Sequence, residues 1–284
     1  MTSVNHRILQ RLKEKEQEEG KLSLLLQFYR ELILVQSRAK EKGSVPRITV
    51  NSATLNTTLE QGKPLLGFDM LTINVPSLRE LFARVVAIYD KYPQLFGSIP
   101  AKLPSPEGRR LLTKKAIRAW FSGEKLPATL TFGDFNPELI PAIIQSTIKP
   151  LLASYAEGLS QVVDQERWRR QYCPVCGGRP DFSFLDKERG SRWLLCSRCD
   201  TEWVFQRLEC PFCDCQEQNN LNYFTDEDEL YRLYTCQCCR NYLKAIDLRK
   251  TEEDIILPLE RLLTVDMDRQ AGEMGYKAGW ASSV

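Results

Sequence analysis

Apolar residues recur every three or four positions over much of the first 170 residues, the period of a helix with one buried face. Asn136 suits an N-cap with Pro137 at the first helical position, and Pro150 is expected to kink that helix or split it in two. Residues 1–170 therefore form a predicted all-α domain, although the turn-rich stretch 46–76 receives no assignment. The predicted helices cover residues 5–43, 77–92, 109–122 and 137–170.

After residue 170 the pattern changes to short runs of β-branched and aromatic residues separated by polar turns. Helical spacing returns after residue 250, where Thr251 is a plausible N-cap, and residues 251–284 are predicted to form a C-terminal helix and tail. The predicted class is therefore α+β, with a helical domain, a strand-rich centre and a final helix. The strand candidates are residues 182–185, 193–195, 201–207, 222–224, 230–234 and 242–246.

All ten cysteines lie in the strand-rich centre, and eight of them form four Cys-x-x-Cys turns, which we call the first to fourth knuckles. Nineteen residues separate the first knuckle from the second, and twenty-two separate the third from the fourth. Each pair brackets a predicted hairpin and is followed by a third strand, the layout of a zinc ribbon or rubredoxin-like domain. The predicted modules are residues 171–206, with Cys173, Cys176, Cys196 and Cys199, and residues 207–250, with Cys210, Cys213, Cys236 and Cys239.

Metal ligation gives these small modules the stability that their cores lack. A unit of about 35 residues buries too little apolar surface to fold alone, whereas a structural metal–thiolate site supplies on the order of 10 kcal/mol. A cross-brace would instead pair the first knuckle with the third and the second with the fourth, but the intervening hairpins favour sequential pairing. Thiol–disulfide chemistry typically uses a single Cys-x-x-Cys at a strand-to-helix turn, which fits four knuckles less well.

The ligands predict two metal ions, one per module, and leave two cysteines over. Four sulfur ligands suit zinc or a single rubredoxin-type iron, and spacing does not separate these metals. The only histidine, His6, lies far from the cysteines in sequence. Cys215 and Cys238 are interpreted either as small packed or exposed residues or as spare thiols beside a metal centre that exchange ligands or sense oxidant.

Charge and hydropathy bear on partners and location. Residues 167–250 carry fourteen Arg and Lys against thirteen Asp and Glu, and eight thiolates with two divalent ions make the loaded modules acidic. A nucleic-acid-binding ribbon is expected to be basic, so this function is disfavoured. The charged first twenty residues lack a secretory signal pattern, and the apolar runs are too short to cross a membrane. A cytoplasmic protein without a membrane partner is predicted, and self-association stays open.

Short sequence motifs around the knuckles resemble those of the FdhE-type formate dehydrogenase accessory proteins. These motifs include Trp168-Arg169-Arg170 before the first knuckle and Thr201-Glu202-Trp203 after the second. Arg207 precedes the third knuckle, Tyr242-Leu243-Lys244 follows the fourth, and residues 265–276 resemble the family's tail. Arg240 stands where glycine is common in the family.

The resemblance implies a metal-binding maturation factor, chaperone-like and not an enzyme, whose partner is the catalytic subunit of formate dehydrogenase. It also implies rubredoxin-like iron or zinc in the sites. No catalytic residue is assigned. An alternative function is a rubredoxin-like redox or electron-transfer protein. Partner contacts are considered for five residues, although packing and helix capping are competing roles: Arg169, Arg170, Glu202, Trp203 and Arg207.

Overall fold

A computed structural model describes residues 4–43, 57–132 and 136–280. These residues cluster into two compact units. The first unit contains residues 4–43, 68–132 and 136–154, and the second contains residues 57–67 with residues 155–280. Residues 46–56 of the unassigned stretch 46–76 lie outside the described residues, but residues 57–67 belong to the unit that carries the cysteines.

The first unit is helical, as the apolar spacing predicts, and its core is built from the apolar faces of its helices. Among the described residues, no helix is long and apolar enough to span a membrane. The helices, the last of which runs into the second unit, are α1 (Val4–Glu19), α2 (Leu24–Lys42), α3 (Val75–Lys91), α4 (Pro93–Phe96), α5 (Pro106–Leu111), α6 (Lys114–Ser122) and α7 (Leu139–Leu159).

Side-chain caps and a glycine turn set helix ends that apolar spacing alone predicts wrongly. The predicted helix 5–43 is two helices, because Gly20 adopts a positive φ of 75° and the Ser23 hydroxyl caps the first turn of α2. The predicted helix 109–122 is divided between α5 and α6, because the Thr113 hydroxyl accepts a hydrogen bond from the Ala116 N–H and starts a new helix.

Pro150 lies inside α7 without splitting it, so that alternative is wrong. A proline has no N–H to donate to the carbonyl four residues earlier, which here belongs to Ser146. The buried Gln36 side chain instead donates to this carbonyl through its Nε2 at 2.7 Å. An amide from α2 thus satisfies the acceptor that Pro150 leaves open, and α7 continues to Leu159. The predicted extension to residue 170 is absent.

The second unit is built on one sheet, and each predicted strand is present. Between β1 and β2, and again between β4 and β5, a hairpin joins adjacent antiparallel strands. The strands are β1 (Pro180–Leu185), β2 (Arg192–Cys196), β3 (Glu202–Phe205), β4 (Leu221–Thr225), β5 (Tyr231–Cys236), β6 (Asn241–Asp247) and β7 (Lys277–Ala278).

The two cysteine modules share this sheet. Its order is β3-β2-β1-β6-β5-β4, with β7 paired to β6. The junction is a parallel pairing of β1 with β6, in which Phe182 lies opposite Lys244 and Phe184 lies opposite Ile246. Phe182, Phe184 and Ile246 form one apolar cluster with Leu195 and Leu257. Each module therefore buries apolar surface against the other, which offsets the small size of its own core.

The C-terminal region consists of two short helices, α8 (Leu257–Leu263) and α9 (Val265–Glu273). The prediction that Thr251 caps this region is wrong, because Thr251 forms only a local turn and α8 begins six residues later at Leu257, with Pro258 in its first turn. The α+β class, with a helical part, a sheet bearing the cysteines and terminal helices, is confirmed. The domain boundaries at residues 170, 206 and 250 stay predictions.

Candidate metal centres

All four knuckles have the same backbone turn. The residue after the second cysteine of each knuckle has a left-handed φ between 57° and 72°, and its N–H donates to the carbonyl of the first cysteine at 2.9–3.3 Å. This geometry folds the chain back so that both sulfurs of a knuckle face one point. The four left-handed residues are Gly177, Asp200, Asp214 and Arg240.

The first cluster brings together the sulfurs of Cys173, Cys176, Cys196 and Cys199, which all lie within 4.8 Å of one another. Distances across the cluster are 3.6 Å between the sulfurs of Cys173 and Cys199 and 3.5 Å between those of Cys176 and Cys196. A tetrahedron with metal–sulfur bonds of about 2.3 Å has edges of about 3.8 Å. The cluster could therefore hold one metal ion after slight expansion.

Electrostatics in the first cluster favour a bound cation. Burial raises the pKa of the Cys173 thiol well above its ordinary range, and the adjacent thiols of Cys176 and Cys196 add to the effect. Burial likewise raises the pKa of the Cys199 thiol. Backbone N–H groups of Val175 and Arg198 point at knuckle sulfurs at 3.4 Å, an arrangement suited to thiolate. A divalent ion would stabilise the thiolate form of all four sulfurs.

A segment from far upstream covers the first knuckle. The N–H groups of Leu65 and Leu66 donate to the carbonyls of Pro174 and Val175, both at 2.8 Å. The Tyr172 hydroxyl reaches back to the Gly62 carbonyl at 2.7 Å. Residues 57–67, which we call the strap, therefore contact the first knuckle, and all four cysteines of the first cluster are buried.

An arginine from α8 supports the other side of the first cluster. Arg261 donates to the Cys196 carbonyl at 3.2 Å and forms ion pairs with Asp181 at 3.1 Å and Asp200 at 2.9 Å. Because Asp200 is the left-handed residue of the second knuckle, Arg261 fixes both ends of that turn. The hydroxyl of Thr201 lies 3.1 Å from the Cys199 sulfur.

The second cluster has the same plan but is more open. Its sulfurs also lie within 4.8 Å of one another, with 3.7 Å between Cys210 and Cys239 and 3.7 Å between Cys213 and Cys236. Cys213 is exposed and Cys239 is half-buried. Burial raises the pKa of the Cys213 thiol to about 11, and the neighbouring thiols of Cys239 and Cys236 add to this shift. This cluster could hold a second ion that is nearer to solvent.

The two remaining cysteines pair with each other. Cys215 and Cys238 form a disulfide with a Cα–Cα distance of 6.6 Å. The sulfurs of this pair and of the ligand Cys236 all lie within 4.8 Å of one another. Neither cysteine is therefore an isolated packed residue, and the pair is next to the second cluster.

The five residues considered for partner contact lie in different environments. Trp203 is fully buried, and its indole N–H donates to the Arg170 carbonyl at 2.8 Å, so its side chain has no surface to offer a partner. Arg169, Arg170, Glu202 and Arg207 are exposed. Arg169 pairs with Glu166 at 3.0 Å, and the Arg170 guanidinium lies over the Trp168 ring.

Sequence reasoning missed the strap, Arg261 and the cysteine pair. For the strap and Arg261 no local motif exists, because each acts through contacts that join distant parts of the chain. The sequence contains a weak indication that Cys215 and Cys238 lie close together, since each follows a predicted metal ligand by two positions.

The fold and these clusters define a class: a protein with two four-cysteine sites on one shared sheet, each able to hold a metal ion. Residues 172–207 match the family model described as "FdhE, central domain". The chain is 28% identical to the Protein FdhE homolog of Aquifex aeolicus, over 93% of this chain and 88% of that relative. It is 32% identical to Protein FdhE of Escherichia coli O127:H6, over 38% of this chain and 35% of that relative.

A solved structure has the same fold. The crystal structure of the FdhE protein from Pseudomonas aeruginosa matches with a TM-score of 0.60 and 22% identity, covering 97% of this chain and 92% of that chain. The family model, the relatives and the structure agree, and together they support an FdhE-type protein.

Proposed function

We propose that this FdhE-type chain is a metal-binding accessory protein that matures formate dehydrogenase in the cytoplasm by docking on its catalytic subunit. The observation that carries the proposal is an FdhE-type fold with two complete four-cysteine clusters. The role is non-enzymatic: the clusters organise a docking module and do not transform a substrate.

Each cluster is proposed to bind one ion of zinc or rubredoxin-type iron through four thiolates. The ligands are Cys173, Cys176, Cys196 and Cys199 in the first cluster, and Cys210, Cys213, Cys236 and Cys239 in the second. Sulfur–sulfur distances of 3.5–3.7 Å across the clusters support tetrahedral coordination. The buried first site suits a purely structural ion.

A surface beside the second cluster is proposed to receive the catalytic subunit. Arg207 is exposed there, and the next residue, Leu208, is 60% exposed. Both line a cavity of about 210 Å³ together with Tyr223, which is 54% exposed. Tyrosine and arginine are enriched among the residues that dominate protein–protein binding, and an exposed apolar patch that includes Leu208 marks an interaction surface. Arg169, Arg170 and Glu202 are also exposed and are further candidates for partner contact.

The alternative is a rubredoxin-like iron protein that transfers electrons. The specific observation in its favour is the exposure of Cys213, which brings a ligand sulfur of the second site to the surface. A colourless preparation with zinc in both sites after anaerobic purification would exclude it, whereas the docking role is compatible with either metal.

The docking role is tested by capture of the catalytic subunit with the tagged full-length chain. The wild type should retain the subunit, and the double variant Arg207→Glu, Leu208→Asp should weaken binding by about tenfold or more because it reverses a charge and removes an apolar contact. Arg189→Glu is the matched control, since Arg189 is exposed on the β1–β2 turn. No capture by the folded, metal-loaded wild type would refute docking.

A further inference from the structure

The two modules repeat the same backbone, and the repeat explains why Cys215 and Cys238 meet. Cys215 follows the ligand Cys213 by two positions, and Cys238 follows the ligand Cys236 by two. The corresponding positions in the first module are Gly178 and Arg198. A Cβ added to Gly178 would lie 2.9 Å from the Arg198 side chain, so these two positions also face each other.

In the second module both facing positions are cysteines, and their bond joins the two knuckles. The third knuckle is closed by the Cys210 N–H, which donates to the Cys215 carbonyl at 2.9 Å. Cys238 lies inside the fourth knuckle, between Cys236 and Cys239. The disulfide therefore connects, by a covalent bond, the same two turns that a metal ion in the second cluster would connect.

Solvent reaches this pair. Cys238 is exposed and Cys215 is half-buried, whereas all four cysteines of the first cluster are buried. A reagent as small as a low-molecular-weight thiol or disulfide can approach the Cys238 sulfur without unfolding the module.

From this placement we propose that Cys215 and Cys238 form a thiol–disulfide exchange site for low-molecular-weight disulfides, and that its oxidation ties the two knuckles and slows metal loss from the second cluster. The part concerning metal rests on the proposed function, because it requires an ion in that cluster.

The exchange proceeds in two steps that balance. The Cys238 thiol attacks one sulfur of the small disulfide and breaks its S–S bond, and the first small thiol leaves with the Cys238 proton. The Cys215 thiol then attacks the Cys238 sulfur and breaks the mixed disulfide, and the second small thiol leaves with the Cys215 proton. The protein loses two electrons, the small disulfide gains them, and excess small thiol reverses both steps.

Closing the pair should change how the second cluster holds its ion. With the bond formed, a ligand that dissociates stays close to the metal, because its knuckle cannot swing away from the other knuckle. Recapture at this high effective concentration competes with a chelator. We expect the ion of the second cluster to transfer to a chelator about tenfold more slowly in the oxidised protein.

The test uses reduced, full-length protein under anaerobic conditions. Oxidised glutathione is the probe, followed by alkylation of free thiols, mass spectrometry of the linked peptides, metal analysis and chelator kinetics. The expected result is one Cys215–Cys238 link and slower metal transfer from the second cluster. Cys215→Ser should trap glutathione on Cys238, whereas Cys238→Ser should take up little. Arg189→Ser, at an exposed position on the β1–β2 turn, is the control and should behave like the wild type.

Two results would overturn the proposal: linkage of oxidised glutathione to ligand cysteines in place of Cys215 and Cys238, or equal chelator rates before and after the link forms. Failure of the proposed function has a different signature. Metal analysis would then find no ion in the second cluster, while mass spectrometry still decides whether Cys215 and Cys238 exchange with the small disulfide.

Discussion

Trp203 is one of the five residues considered for partner contact, and it offers a direct way to separate packing from partner contact. Its side chain is fully buried opposite Leu194 on β2, and its indole N–H donates to the Arg170 carbonyl at 2.8 Å. Trp203→Phe keeps an aromatic ring but removes the donor. Loss of this hydrogen bond costs about 0.5–1.5 kcal/mol, and the smaller ring leaves a void in the core, so we expect a loss of about 2–4 kcal/mol in the free energy of unfolding.

The assay is urea unfolding of the metal-loaded full-length protein, followed by circular dichroism and by metal release. With a urea slope of about 3 kcal/mol per M, the midpoint should fall by about 1 M. Trp193→Phe is the matched control: Trp193 is half-buried on β2, and its N–H donates to the Asp186 carboxylate at 3.1 Å, where water can replace it. Equal shifts in the two variants, or weaker capture of the catalytic subunit by Trp203→Phe with an unchanged midpoint, would refute a packing role.

Three further predictions concern the clusters. Acidification should release metal. The pKa values of the Cys173 and Cys213 thiols are raised, and a metal ion must displace their protons to bind, so metal affinity should rise with pH. Metal content measured over a pH titration checks this, and an affinity that fell with rising pH would contradict it. Cys173→Ser and Cys213→Ser should each remove one ion by elemental analysis. Cys173→Ser should lower the free energy of unfolding more than Cys213→Ser, because Cys173 is buried and Cys213 is exposed. A larger loss of unfolding free energy for Cys213→Ser would contradict these exposures. Asp214→Gly should stabilise the protein by about 0.5–1 kcal/mol, because Asp214 is exposed with a φ of 58°, and a lower melting temperature would contradict this.

The sequence predicts those parts of the structure that depend on neighbours in the chain. Cysteine spacing, together with the hairpins predicted between the knuckles, places the eight candidate ligands in two groups, and alternating runs between the knuckles place the strands. Helical spacing identifies most helices but not their ends, since caps such as Ser23 and Thr113 override the apolar pattern. Pro150 is a clear case: its effect depends on whether another element satisfies the Ser146 carbonyl, and Gln36 does so.

Contacts between distant segments could not be predicted in this way. The parallel pairing of β1 with β6 joins strands about sixty residues apart, and their register follows from packing that no local pattern records. The strap and Arg261 reach the first cluster through similar long-range contacts. The Cys215–Cys238 pair could be predicted in part. The sequence repeat gives the two cysteines equivalent positions in the two knuckles, but neither cysteine is a metal ligand, and only the structure shows that they face each other.

The most direct test of the account is metal analysis of the anaerobically purified full-length protein combined with X-ray absorption at the edge of the metal found. We predict two ions per chain, each surrounded by four sulfur atoms at about 2.3 Å. One ion per chain, or nitrogen or oxygen ligands in place of sulfur, would contradict the assignment of two four-cysteine centres.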